Sequence, residues 1–195
     1  MEEKNNRGFG VERVYCVDGG EKMVEKESGK MEKPVDFVGE IVRDIGLEDM
    51  KLVRQEAGFY EKEETTLYEV LDMIWTYGQS TGGFVIEHEP LTPEYITIEH
   101  GHRPDEFSRY YYRRGEVLFT DGDIVFISRM VDTDGNTHYD VYYKYKLINA
   151  KFVLILRYDE NNFSGYNQQS LTVYLYGKNE KLLNVLRRLN DLLSP

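Results

Sequence analysis

The residues best suited to chemistry lie in the middle of the chain. His100, Gly101 and His102 are followed by Glu106, and His138 lies further on. Two imidazoles separated by one residue point the same way on an extended strand. With a carboxylate and a third imidazole they make a ligand set for a divalent transition metal such as iron, manganese, nickel or zinc. The second constellation is Arg109-Tyr110-Tyr111-Tyr112-Arg113-Arg114. Tyrosine and arginine are the anchors that protein interfaces favour. The same alternation of rings and guanidinium groups can stack bases and hold phosphates.

The His-x-His-x3-Glu spacing of His100, His102 and Glu106 resembles the first motif of the cupins. Gly122-Asp123 with Gly135-Asn136-Thr137-His138 resembles the second. The resemblance implies a metal held by His100, His102, Glu106 and His138. The sequence departs from the cupin pattern at Glu94, where the motif has glycine, and at Ser128, where it has proline. Asp134-Gly135-Asn136 also has the composition of a tight hairpin turn.

Other chemistry is sparse, so no catalytic residue is assigned and no enzyme is expected. There is no Gly-x-Ser-x-Gly elbow, no phosphate-binding P-loop and no Gly-x-Gly-x-x-Gly turn. Gly78–Gly83 joins a helix to a strand, the reverse of the order a phosphate cradle uses. His88 and His100 fall on strands expected to form a hairpin closing at 90–93, with Ile86 opposite Ile98. That register separates the two histidines by roughly 13 Å, too far for a shared metal. The single cysteine, Cys16, excludes an internal disulfide. A reducing, cytoplasmic setting is the expectation. Apart from the divalent metal of the histidine set, no cofactor is expected.

Charge narrows the partners. The chain carries 35 Asp and Glu against 24 Lys and Arg, a net of −11. Residues 1–100 hold 23 acids and 11 bases, whereas 101–195 hold 12 and 13. The acidic half would repel a phosphate backbone, which disfavours nucleic acid, and would steer a basic protein. No apolar run approaches the roughly 20 residues that span a bilayer, so no membrane contact is expected. Residues 1–7 lack the pattern of a secretory signal.

Helical spacing of Val35, Val38, Ile41, Val42 and Ile45 predicts a first helix with Gly46 as its stop. Thr66-Leu67-Tyr68-Glu69 is a capping box. It opens a second helix with Leu67, Val70, Leu71, Ile74 and Trp75 on one face, ending near Gly78. Strand patterns follow from Gly83 onward. Residues 139–147 alternate as a half-buried strand, 152–156 as one covered on both faces, and 159–169 as a polar loop. A final amphipathic helix covers 179–193. The fold class is therefore α+β, an antiparallel meander of about seven strands covered by two earlier helices and the C-terminal helix. Residues 1–34 read as a flexible segment with one short strand at 11–17, and 35–195 as a single domain. The element order resembles helix-grip folds, and its last part resembles a pleckstrin-homology-like barrel with its capping helix. A helix-grip arrangement would imply a small-molecule site between the sheet and the last helix.

The function expected from these residues is a non-enzymatic interaction or regulatory module. Tyr110, Tyr111, Tyr112, Arg113 and Arg114 would anchor a protein partner, or a second copy in self-association. The alternatives are a small-molecule-binding protein of helix-grip type and a cupin-like metal-binding protein.

Overall fold

The helices begin and end where side chains satisfy their free backbone groups. In a computed structural model, which describes residues 36–91, 94–104, 110–134, 138–163 and 165–194, helix α1 (Phe37–Ile45) is capped by Asp36. The Asp36 carboxylate accepts from the Gly39 N–H at 2.8 Å. Gly46 closes α1 at φ 68°, a left-handed conformation that glycine adopts without a Cβ penalty. In α2 (Leu67–Thr81) both halves of the capping box form. The Thr66 hydroxyl accepts from the Glu69 N–H, and the Glu69 carboxylate accepts from the Thr66 N–H at 2.8 Å. Asn179 caps α3 (Glu180–Leu193) by accepting from the Leu182 N–H at 3.0 Å.

Among the described residues nine strands form one mixed sheet: β1 (Lys51–Glu56), β2 (Glu63–Thr66), β3 (Val85–Glu89), β4 (Tyr95–Pro104), β5 (Tyr110–Thr120), β6 (Asp123–Asp134), β7 (His138–Ile148), β8 (Phe152–Phe163) and β9 (Tyr166–Gly177). Their spatial order is β3-β9-β8-β5-β4-β7-β6. The sheet forks along β5. Its first half, from Tyr111 to Gly115, pairs with β4, and its second half, from Val117 to Thr120, pairs with β1. Past the fork, β4 peels away and carries β7 and β6 with it.

The fork creates two cores. On one face, Leu52, Phe119, Phe152, Leu154, Leu156, Leu171, Val173 and Leu175 pack under the apolar stripes of all three helices. On the other, Leu118, Val153 and Ile155 meet Ile96, Ile98, Ile124, Val141, Tyr143 and Tyr145 from the peeled-off strands. Strand β8 lies between the two, so all five residues from Phe152 to Leu156 are buried. The alternation in β7 gives the expected half-buried strand. Val141, Tyr143 and Tyr145 are buried, while Lys144 is exposed.

The α+β class holds, and several finer expectations are corrected. The sheet has nine strands and is not a simple antiparallel meander, because β3 runs parallel to β9. The expected hairpin of β3 with β4 does not form. Phe84, just before β3, joins the helix-covered core, whereas Ile96 and Ile98 of β4 join the second. A hairpin would have put both apolar rows on one core. Residues 159–169 are not a polar loop, since β8 and β9 stay paired from Phe152–Gly177 out to Phe163–Tyr166. Their polarity reflects faces that are at most half-buried, not a lack of pairing. Helix α2 runs three residues beyond Gly78. A Cβ at that glycine would collide with the Leu193 side chain, so the residue serves close packing on α3 and not a stop. Beneath α3 the space is filled by Leu182, Leu183, Val185, Leu186 and Leu189, all buried, and α3 shares its face of the sheet with α1 and α2. The expected strand at 11–17 lies outside the described residues.

Candidate interaction surface

Strand alternation divides the Tyr/Arg run of β5 between two faces. On the first, the Tyr111 hydroxyl donates to Glu160 at 2.7 Å and the Arg113 guanidinium lies over the Tyr111 ring at 5.6 Å. On the second, the Tyr112 hydroxyl donates to Asp159 at 2.9 Å. Arg114 donates to Asp159 at 2.7 Å and to Glu99 at 2.6 Å. Arg114 and Arg103 both lie 5.5 Å from the centre of the Tyr112 ring. Burial, then Asp159, raises the Tyr112 hydroxyl well above its ordinary range. Burial pulls Arg114 down, but its bonds to Asp159 and Glu99 more than offset this and keep it charged. Tyr112 and Arg114 are thus occupied in tying β4, β5 and β8 together. Arg113 is the exposed member of the four from Tyr111 to Arg114. Tyr110 heads the strand, and its side chain lies outside the described residues.

The fork itself is held by Glu116, which is 3% exposed. Its carboxylate accepts from Arg157 Nε at 2.6 Å and from the Glu99 N–H at 2.8 Å, and its carbonyl accepts from the Ala57 N–H at 3.0 Å. One residue thereby satisfies β4, β1 and β8 where the sheet splits. Burial raises the Glu116 carboxyl above the usual glutamate value, and Arg157 offsets part of that rise. Arg157 also lies over the Tyr174 ring at 4.8 Å.

His100 and His102 share a face of β4, as their spacing predicts. His100 stacks on Tyr143 with ring centres 5.9 Å apart, and His102 tilts against Tyr139 at 5.8 Å. The Nδ1 of His100 is buried without a hydrogen-bond partner among the described residues. Burial, reinforced by Arg129, lowers the His100 pKa. His88 sits on β3, bonded to the Gly177 carbonyl at 2.9 Å. Glu106 and the side chain of His138 lie outside the described residues. Among the described residues no three His, Cys, Asp or Glu side chains gather as a metal set.

Sequence reasoning finds a strand at Ile124–Val131 and misses that the strand it belongs to, β6, is an edge. Among the described residues it pairs with β7 alone, so past Ile124, whose N–H donates to Asp123 and whose carbonyl accepts from Lys62, no other strand bonds its outer edge. Val125, Phe126, Ile127, Met130 and Val131 along it are all 45–60% exposed. The edge strands β2 and β3 are guarded, and the outer side of β9 from Tyr166 to Leu171, which also lacks a strand partner among the described residues, is mostly polar. Strand β2 is four residues long and carries Glu63 and Glu64, and β3 is five residues long and carries Glu87 and Glu89. Short, charged edges resist pairing, whereas a long apolar edge invites it. Phe59 and Tyr60, from the turn between β1 and β2, stand beside β6 at 60% and 91% exposure. With Phe126, Tyr143 and Tyr145 they line a shallow cleft of about 230 Å³, smaller than most small-molecule sites. The signal was present in Ile124-Val125-Phe126-Ile127. Ile124 is buried in the second core, while Val125, Phe126 and Ile127 stay half exposed beside the open edge.

No protein-family model matches the chain, and no curated protein or solved structure is similar enough to match it. No helix among the described residues is long and apolar enough to cross a membrane.

Proposed function

We propose that the chain is a non-enzymatic interaction module whose recognition surface is the free edge of β6 with Phe59 and Tyr60 beside it. The observation that carries this reading is the contrast between edges. The edge strands β2 and β3 are short and acidic and the unpaired stretch of β9 from Tyr166 to Leu171 is mostly polar, whereas β6 is 12 residues long with an apolar centre. A partner strand would gain main-chain hydrogen bonds along β6, and its side chains would cover the exposed apolar ones. The Tyr/Arg strand contributes through Tyr111 and Arg113, while Tyr112 and Arg114 hold the scaffold. The acidic first half keeps the molecule soluble and repels nucleic acid.

A photo-crosslinking amino acid placed at Met130 in living cells tests this, with Glu87 on the guarded edge as control. The reading expects a discrete adduct from position 130 and none from 87. Equal or absent labelling at both positions would remove β6 as the recognition surface.

A further inference from the structure

We infer that the strand covering β6 belongs to a second copy of this chain, its own β6 laid antiparallel across a two-fold axis. This rests on the reading of β6 as the recognition edge. Free backbone groups at an edge are a ready template for another strand, which bonds them along their length. A two-fold pairing meets that demand for both chains at once, because each copy brings the same unpaired edge. The side chains agree. Five of the ten exposed residues described on β6 are apolar, Val125, Phe126, Ile127, Met130 and Val131, and a self-pairing about the middle of the strand sets them against one another.

Area supports the same occupant. At about 150–250 Å² per aromatic side chain, the exposed fractions of Phe59, Tyr60 and Phe126 leave roughly 300–500 Å² uncovered. That alone reaches the size of the largest patch on a typical monomer. Val125, Ile127, Met130, Val131 and the strand backbone bring it toward the about 800 Å² per partner of a standard interface. Charge opposes it and so sets its salt dependence. Strand β6 itself carries Asp123, Asp132 and Asp134 against Arg129, and each copy has a net of −11. Association of such chains should strengthen with salt, which screens the repulsion. Capture of a basic partner would weaken with salt.

The test combines the mass of the purified chain in solution with a cysteine scan of β6. The intact chain should have twice its 22.9 kDa at about 100 µM. Raising salt from about 50 to about 500 mM should tighten the dimer. Met130→Lys should weaken it about tenfold or more while leaving the melting temperature of the monomer unchanged. In a Cys16→Ser background, single cysteines at Val125, Ile127, Arg129 and Val131 should give disulfide-linked dimers that peak at one position. Only the residue nearest the axis meets its own copy within disulfide reach. A monomeric mass throughout, with no linked dimer at any position, overturns self-pairing. A dimer that loosens with salt, or that Met130→Lys leaves intact, overturns it as well. If self-pairing fails while the Met130 photo-adduct contains a different protein, the interaction reading survives and only the identity of the occupant falls. If that adduct is also absent, both fall.

Discussion

Replacing Glu116 with alanine removes the group that holds the fork of the sheet, and the structure sets the size of the loss. Arg157 would lose its ion-pair partner while its side chain is only 26% exposed. Stripping one partner from a buried pair costs about 3–5 kcal/mol. Arg157 keeps some water and its contact with Tyr174, which lowers its share to about 2–3 kcal/mol. The Glu99 N–H would lose its acceptor, adding about 1 kcal/mol. The total of about 3–4 kcal/mol is a large part of the 5–15 kcal/mol that holds a typical domain together. With a urea dependence near 2 kcal/mol per molar, the unfolding midpoint of Glu116→Ala should fall by about 1.5–2 M. Glu116→Gln retains an acceptor for the Glu99 N–H and should lose less than half as much. The pH dependence has a definite sign. Burial raises the folded pKa of Glu116 above the unfolded value of 4.5. The native state therefore holds this proton more tightly. Its contribution to stability is full below pH 4.5 and is lost as pH rises through the folded pKa. The gap between the wild type and Glu116→Gln should widen on acidification. Urea titrations of the three proteins across pH check both points. A Glu116→Ala midpoint within about 0.3 M of the wild type would refute the assignment of Glu116 as the fork's anchor.

Other consequences are smaller. Thr66→Ala removes one half of the capping box of α2 and should cost about 1 kcal/mol in a denaturant titration. Burial pushes the Tyr145 hydroxyl up to about 12, against 10.0 unfolded. Its stabilising share is complete below pH 10 and disappears as pH rises through about 12. Tyr145→Phe should therefore lose less stability than the wild type over that range, as followed by denaturation at stepped alkaline pH. For His100 the folded pKa lies below 6.5, so its contribution is present above pH 6.5 and is lost as pH falls through the folded value. Its ring signals in a proton NMR titration should move with a midpoint below 6.5. A midpoint at or above that value would contradict the buried placement.

Local grammar was readable in the sequence, and long-range pairing was not. Gly46, Thr66 and Glu69 mark helix ends through bonds that span three or four residues, so composition locates them, while the capping bonds of Asp36 and Asn179 came only with the structure. The alternation at 139–147 and the solid run at 152–156 report how many faces are covered, and both were legible. The partner of β3 was not. Phe84 and Ile86 show that the segment buries a face, but nothing local says that the face belongs to the helix-covered core beside β9. The polar ends of β8 and β9 look like a loop because backbone pairing leaves no trace in side-chain polarity. For the candidate site, the spacing of His100 and His102 fixed their common face, and the parity of Tyr111, Tyr112, Arg113 and Arg114 fixed theirs. That Tyr112 and Arg114 are consumed by Asp159 and Glu99 depends on strands far away in sequence. The open edge of β6 is a property of sheet order, which only the assembled fold reveals.

The central claim is that β6 is covered by β6 of a second copy, and amide hydrogen exchange at increasing protein concentration tests it most directly. Among the described residues of one chain, roughly every second amide of β6 has no partner strand. The account predicts that these amides become protected as concentration rises, while those of β2 and β3 exchange unchanged. Exchange of the β6 amides at the same unprotected rate across the whole concentration range would contradict it.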